Sequence, residues 1–182
     1  HRSEPFFLHL TYNAPHFPMQ VPDEDADPFR ETGKFTEGVC RVYGMNRRMD
    51  AGIGRILDEL DRLGLAENTL VFFASDNGPD FTGSGDMCKR RSNGDFNGEK
   101  CLTYEGGIRV PGIVRWKGVV DPGQVNANTV MSTVDLFPSL CAIAGTALPT
   151  GVDFDGENLS TALLGEKPMR SRPLMHEYGH TQ

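Results

Sequence analysis

A helical repeat followed directly by an apolar run is the feature that most constrains how this chain can fold. Apolar residues recur every three or four positions from Val42 to Leu63, which predicts a helix with one apolar face that ends at Gly64. The segment Thr69–Ala74 (TLVFFA) then shows no polar alternation, as is typical of a central parallel strand covered on both faces. A helix, a short turn and a buried strand form half of a crossover unit, so the pattern predicts an α/β fold.

Three further segments extend this prediction toward both ends of the chain. Pro5–Tyr12 (PFFLHLTY) is short, apolar and rich in aromatic residues, and we interpret it as a buried strand. Ile108–Trp116 has the composition of another strand, interrupted by Pro111-Gly112. Val134–Ala144 predicts a helix that ends at the following glycine.

The remaining segments are rich in turn-forming residues. Val21–Gly38 is polar and acidic and is expected to form a surface excursion, and Leu159–Leu164 is expected to form a short helix. Ser75–Gly98 contains five glycines and no periodicity, and a loop this long after a core strand is uncommon unless it is functional. Because no repeat or linker interrupts the chain, a single domain over residues 1–182 is the simplest prediction.

Composition restricts the possible partners. The formal net charge is -7 and the pI is about 5.2, which argues against nucleic acid as the main partner because phosphate-binding surfaces are usually basic. No apolar run approaches the roughly 18 residues needed to span a membrane. The cysteines form no CxxC pair, so no zinc site is expected; they are Cys40, Cys88, Cys101 and Cys141. The sequence does not indicate an oligomeric state.

Polar residues follow the predicted strands where ligands bind in open α/β sheets, beyond the carboxyl ends of the strands. Asp76 and Asn77 follow TLVFFA, and their side-chain oxygens suit Ca²⁺ or Mg²⁺ rather than zinc. His16 lies in a proline-stiffened loop after the first predicted strand, and Lys100 precedes a double glycine. Taken singly, each of these features is more often an ordinary part of a protein surface.

Taken together, several segments resemble one known family in their order and spacing. The segments are PFFLHLTYNAPHFP, MDAGIGRILDELDRLGLAENTLVFFASDNGP, GEKCLTYEGGIRVPGIVRWKG, VDLFPSLCAIAG and DGENLSTALLG. They are similar to the sulfatases of the alkaline-phosphatase-like superfamily, in particular arylsulfatases and N-acetylgalactosamine-6-sulfatases. The resemblance implies a mostly parallel sheet flanked by helices. It also implies that residues 1–182 are a partial catalytic domain, the C-terminal portion of the main α/β domain with the start of a C-terminal subdomain as an option.

The resemblance implies roles for individual residues. Asp76 and Asn77 match the pair that ligates one active-site Ca²⁺. His16 matches a histidine that contacts the substrate sulfate, and Lys100 matches a lysine that does so near the leaving oxygen. Glu105–Arg109 matches the family's second signature, for which we expect a structural role, with the glutamate and arginine at its ends in a buried or partly buried ion pair.

The chemistry of sulfate ester cleavage agrees with these roles. Negative charge develops on the sulfuryl oxygens, where a divalent cation and Lys100 can stabilise it, and on the departing alkoxide, which His16 or Lys100 can protonate. Family members use a formylglycine nucleophile made from a C-x-P-x-R or S-x-P-x-R motif. No cysteine or serine here fits, since Ser171-Arg172-Pro173 is similar only superficially. We therefore expect an inactive fragment, with the formylglycine in a missing N-terminal segment.

The sequence thus predicts a sulfuric ester hydrolase that acts on a sulfated small molecule or a sulfated glycan, either a carbohydrate or an aryl ester. Three alternatives stay open: a phosphatase or phosphodiesterase of the same superfamily, a non-catalytic binding protein with the sulfatase fold, and a purely structural α/β domain. Residues that select the substrate are expected in Gly83–Asn97 and Val21–Phe35. The resemblance implies a periplasmic, secreted or lysosomal location.

Overall fold

The computed structural model describes residues 4–80 and 93–177, and these ranges mix helices with strands. The elements in chain order are α1 (Asp23–Arg30), α2 (Glu37–Arg62), β1 (Val71–Ala74), α3 (Glu105–Ile108), β2 (Gly112–Arg115), α4 (Leu136–Ile143) and α5 (Ser160–Leu163). Short 3-10 turns precede β1 and α4. The predicted α/β class is confirmed.

The long helix α2 lies where the apolar repeat predicted it. It begins earlier than the repeat, because Thr36 caps it by accepting a hydrogen bond from the backbone N–H of Val39. It ends at Arg62, two residues before Gly64, whose φ of 68° is a left-handed conformation that glycine adopts without strain. Met45 and Leu60, which belong to the predicted apolar face, are buried on α2, and so is Cys40, which precedes the repeat.

Part of the expected surface excursion is the helix α1, which the sequence analysis missed. Ala26 is its buried residue, and it lies so close to Gly44 of α2 that a β-carbon there would be 3.1 Å from the Ala26 nitrogen. Arg30 ends α1 and donates to Glu37, the first residue of α2, with an Nη2–Oε1 distance of 2.5 Å. Contacts with α2 stabilise this short acidic helix. Its own sequence contains no apolar repeat, so no local pattern predicted it.

The two strands differ from the prediction in their direction. β1 pairs with β2 antiparallel, from Val71 opposite Arg115 to Ala74 opposite Gly112. The expected parallel neighbour of Thr69–Ala74 is therefore not found in the described ranges, and the β1 residues are half-buried rather than covered on both faces. The reason is that the chain folds back beside the end of β1 through α3, so β2 returns in the opposite direction.

The prediction of a strand at Pro5–Tyr12 is wrong for this structure. The segment is assigned to no helix or strand, and Phe7 is 79% exposed. A strand forms only where another strand satisfies its backbone hydrogen bonds, and the described ranges offer this segment no such partner. Its end does lie on α2, because a β-carbon at Gly52 would be 3.0 Å from the Tyr12 hydroxyl.

The C-terminal region is organised around a buried carboxylate. Asp135 is fully buried; its Oδ2 accepts from the backbone N–H of Ser132 at 2.7 Å and pairs with Arg170 at 2.5 Å. Its Oδ1 accepts from the backbone N–H of Glu157 at 2.9 Å. The predicted helices at Val134–Ala144 and Leu159–Leu164 are confirmed as α4, with its preceding 3-10 turn, and α5. In the described part of the chain, no helix is both long and apolar enough to cross a membrane.

Candidate functional site

Asp76 and Asn77 lie in a tight turn directly after β1. The Asp76 carboxylate accepts from the backbone N–H of Asn77 at 3.0 Å, and the Ser75 hydroxyl donates to the Asn77 carbonyl at 3.0 Å. The Asn77 side chain donates from Nδ2 to the Gly78 carbonyl at 2.7 Å. This orientation leaves Asn77 Oδ1 without a hydrogen-bond partner among residues 4–80 and 93–177, so an amide oxygen and a carboxylate oxygen are available side by side in sequence.

Gly78 joins this turn to α3 by direct backbone contact. Its N–H donates to the Gly107 carbonyl at 2.9 Å, and a β-carbon on Gly78 would overlap the carbonyl oxygen of Gly106. Gly106 and Gly107 are buried, and a β-carbon on either would overlap a backbone oxygen, of Gly98 or of Leu102 respectively. Only glycine fits at these three positions, which explains the double glycine that precedes β2.

The loop that carries Lys100 packs against the same turn. The backbone N–H of Lys100 donates to the Pro79 carbonyl at 2.8 Å, and the N–H of Gly106 donates to the Asn97 carbonyl at 2.6 Å. We refer to residues 75–79 and 93–107 as the interlocked loops. The Lys100 ammonium forms no hydrogen bond or ion pair with any described residue, so it is available to an anion.

The ion pair expected within Glu105–Arg109 is present, but it is exposed. Arg109 Nη1 lies 2.9 Å from Glu105 Oε2, with both side chains close to 60% exposed, at 59% and 58%. The expectation of a buried or partly buried pair is therefore wrong, because the two side chains are four residues apart on the outer side of α3. Arg109 also lies over the Phe96 ring, 4.9 Å from its centroid, which links α3 to the loop before Lys100.

His16 is exposed and lies in the N-terminal segment. Its Nδ1 is 2.8 Å from the Phe17 carbonyl oxygen, and its ring stacks on the Phe17 ring with centroids 4.8 Å apart. Because a carbonyl oxygen only accepts, Nδ1 carries the proton and Nε2 is left for another partner. Within the described ranges no hydrogen bond, ion pair or ring contact joins His16 to Asp76, Asn77 or Lys100. The structure thus connects the Lys100 loop to the Asp76-Asn77 turn through a backbone hydrogen bond, and it shows no such connection for His16 among the described residues.

The donor set of Asp76 and Asn77 suits a hard cation in kind, since carboxylate and amide oxygens are the ligands of Ca²⁺. It is incomplete in number, because Ca²⁺ takes about six to eight oxygens. No group of three or more His, Cys, Asp or Glu side chains in the described ranges is arranged to hold a metal ion. The other ligands of a Ca²⁺ ion would have to come from elsewhere.

Sequence reasoning missed the contribution of Asn93, whose Nδ2 donates to the Gly98 carbonyl at 2.8 Å. The dipeptide Asn93-Gly94 is a turn signal, and it was the only pattern that pointed to this position. Cys88 and most of the predicted substrate-selecting segment Gly83–Asn97 lie outside the described residues.

Comparison with known proteins identifies the family. The family model described as Sulfatase matches residues 1–146, which is most of the chain. This chain belongs to the sulfatase family. Relatives align with this sulfatase over nearly its whole length, with the segments in the same order. The resemblance to the family is therefore confirmed.

Two curated relatives show how much of a sulfatase the chain represents. It is 38% identical over 180 residues to steryl-sulfatase of Rattus norvegicus, covering 97% of this chain and 30% of the relative. It is 37% identical over 183 residues to N-acetylgalactosamine-6-sulfatase of Homo sapiens, covering 99% of this chain and 32% of the relative. This sulfatase chain therefore spans about a third of the length of these relatives.

Solved structures agree with the alkaline-phosphatase-like fold. The crystal structure of Ps i-CgsB in complex with k-i-k-neocarrahexaose superposes with a TM-score of 0.77 at 34% sequence identity. The match covers 88% of this sulfatase chain and 34% of that structure. This sulfatase chain therefore corresponds to about a third of that structure.

Proposed function

We propose that the complete protein containing this chain hydrolyses sulfate esters of carbohydrates or aryl compounds. The observation that carries the proposal is the hydrogen bond from the Lys100 backbone N–H to the Pro79 carbonyl, at 2.8 Å. This bond joins the loop of Lys100, whose ammonium has no partner among residues 4–80 and 93–177, to the turn that carries the side-chain oxygens of Asp76 and Asn77. Membership of the sulfatase family supports assigning sulfate chemistry to this combination.

The candidate residues of this chain have different roles in the proposed reaction, and each role follows from the charge of the side chain. Lys100 attracts the sulfuryl oxygens and stabilises the negative charge that develops on them during cleavage. His16 holds its Nδ1 proton against Phe17, so when the ring is also protonated at Nε2 it can donate from that atom to the substrate or the departing oxygen. Asp76 and Asn77 would hold one Ca²⁺, which supplies a fixed positive charge beside the sulfate when it is bound. A formylglycine outside this chain would supply the nucleophile.

The proposed substrate is a sulfated glycan or a sulfated small molecule. A glycan is supported by the similar structure of Ps i-CgsB, which was solved with an oligosaccharide. Small sulfate esters are supported by similarity to steryl-sulfatase. A periplasmic, secreted or lysosomal location belongs to the same proposal.

The direct test is release of inorganic sulfate by the complete protein from an aryl sulfate and from sulfated oligosaccharides. Replacing Lys100 by alanine should lower kcat/KM by about 100-fold or more, as loss of a preorganised charge-stabilising group does in other enzymes. The matched control is Lys167→Ala, because Lys167 is an exposed lysine outside the interlocked loops, and it should leave the rate unchanged. Equal rates for the two variants would refute the role given to Lys100.

Metal content separates the alternatives. One calcium per protein, lost in an Asp76→Ala variant that still folds, would support the proposed site. Stoichiometric zinc together with release of phosphate from phosphate esters would indicate a phosphatase or phosphodiesterase instead. Binding of a sulfated glycan without any turnover would indicate a non-catalytic binding protein.

A further inference from the structure

The Asn93 side chain contacts the backbone of the segment that leads to Lys100. It is half-buried, and its Nδ2 donates to the Gly98 carbonyl at 2.8 Å. The same nitrogen lies against Gly106, where a β-carbon would overlap it. The Asn93 side chain therefore fills the space between the start of the Lys100 loop and the first turn of α3.

The segment that Asn93 contacts is fixed to α3 at two further points. The N–H of Gly106 donates to the Asn97 carbonyl at 2.6 Å. Gly98 has a φ of 84°, and a β-carbon there would lie only 2.7 Å from the Tyr104 β-carbon. These contacts set the path of the backbone just before Lys100.

The turn that follows needs such support. Cys101 has a φ of 71°, a left-handed conformation that residues with a β-carbon seldom adopt, and the N–H of Leu102 closes the turn on the Glu99 carbonyl at 3.0 Å. Backbone of this kind persists only where the surrounding contacts over-determine it. Lys100 enters this turn directly, so the direction of its side chain depends on the turn remaining intact.

We infer that Asn93 is a positioning residue for Lys100. By fixing Gly98 against α3, it maintains the strained turn and with it the place where the ammonium meets the sulfate. This inference rests on the proposed function, because it assumes that Lys100 acts on a bound anion. Without the Asn93 side chain, the Gly98 carbonyl loses its donor and the turn at Lys100 relaxes.

The kinetic test compares Asn93 with an exposed asparagine outside the interlocked loops, in the complete protein. Asn93→Ala should lower kcat/KM for 4-nitrophenyl sulfate by about tenfold or more, because displacement of a reacting group by an ångström is costly. Asn68→Ala is the matched control, since Asn68 is exposed, lies outside the interlocked loops and the expected substrate-selecting segments, and its side chain forms no hydrogen bond with a described residue; it should stay within about twofold of the unchanged protein. Equal rates for the two variants would overturn the inference.

A double-mutant cycle separates positioning from general destabilisation. In a Lys100→Ala background, adding Asn93→Ala should change kcat/KM by less than about twofold, because the group that Asn93 positions is gone. A full additional loss in that background would mean that Asn93 acts through the fold rather than through Lys100. If Asn93→Ala does not yield folded protein, Asn93→Asp replaces it, because it keeps the shape and removes the donor.

Hydrogen exchange keeps this inference distinct from the proposed function. The Lys100 amide donates to Pro79, so a peptide covering residues 97–104 should exchange faster in Asn93→Ala than in Asn68→Ala. If the unchanged protein hydrolyses no sulfate ester, the proposed function fails, and faster exchange would still support the structural link between Asn93 and Lys100. Unchanged exchange would overturn that link whatever the activity.

Discussion

The helical pair α1–α2 and the interlocked loops are built in opposite ways. In the helical pair most hydrogen bonds are local, and the ion pairs are on the surface, such as Arg30 with Glu37, whose side chains are 26% and 48% exposed. In the interlocked loops, Gly78 and Gly107 meet backbone to backbone although 29 residues separate them in sequence. Asp76, Asn77 and Lys100 lie in the second kind of structure, where small changes in backbone position are sterically resisted, whereas His16 lies outside both regions.

The largest effect is expected at a buried ion pair, which contrasts with the exposed pairs of the helical pair. Asp135→Ala would remove the carboxylate 2.5 Å from the Arg170 guanidinium, whose side chain is 7% exposed, and leave it the more distant Glu157, 3.8 Å from its Nε. Loss of one partner of a buried pair costs about 3–5 kcal/mol, so the unfolding temperature of the complete protein should fall by several degrees. Glu37→Gln is the exposed control and should cost far less. Similar shifts in unfolding temperature for both variants would contradict the expected difference between the buried and the exposed ion pair.

A large effect is also expected where the interlocked loops meet. Gly78→Ala places a methyl group against the Gly106 carbonyl, whose carbon would lie 2.9 Å away, and backbone cannot rotate aside as a side chain can. Overpacking of this kind costs about 1–3 kcal/mol. Thermal unfolding measures the loss, and kcat/KM should fall with it because the turn that carries Asp76 and Asn77 moves. An unchanged melting temperature would show that the loops are looser than these contacts indicate.

The opposite sign is expected for a glycine of the helical pair. Gly54 lies inside α2, and a β-carbon there would meet nothing within 4 Å. Gly54→Ala should therefore stabilise the protein by about 0.4–1 kcal/mol, since alanine loses less backbone entropy than glycine on entering a helix. Thermal unfolding beside Gly78→Ala provides the comparison, and a lower melting temperature for Gly54→Ala would remove the distinction between the two regions.

The smallest expected effect is the pH dependence of the helical pair. The Arg30 guanidinium lowers the pKa of Glu37 from 4.5 to about 2. A lowered pKa means that the folded state favours the charged carboxylate, so this contribution is complete above about pH 4.5 and is lost as the pH falls toward 2. The difference in melting temperature between the unchanged protein and Glu37→Gln should therefore shrink on acidification through this window. A difference that grows on acidification would contradict the stabilising role given to the charged Glu37 carboxylate.

The sequence predicted elements whose signals are local and missed those that depend on distant partners. The repeat from Val42 to Leu63 predicted α2 because one helix face carries its own pattern. Pro5–Tyr12 was expected to be a buried strand, yet a strand needs a neighbour that this chain does not provide within its described ranges. For the same reason, TLVFFA indicated strand but not its antiparallel direction, which depends on the distant Gly112–Arg115.

The candidate site follows the same division. Asp76 and Asn77 were found because they follow an apolar run directly, and Lys100 because it precedes a conspicuous double glycine. That Lys100 would bond to Pro79 is a contact across 21 residues, which no local pattern contains. Asn93 has no local signal beyond a turn dipeptide, since its importance derives from Gly98 and Gly106. The metal and sulfate roles of these residues stay predictions.

The exposed N-terminal segment has a consequence for handling the chain. Phe6, Phe7 and Leu8 are 54%, 79% and 64% exposed, and they stand in a short uncharged stretch of high strand propensity. Stretches of this composition stack between molecules into intermolecular sheets when nothing covers them. The chain produced by itself should therefore precipitate at high concentration, and co-expression with a polypeptide able to pair with this stretch should keep it in solution.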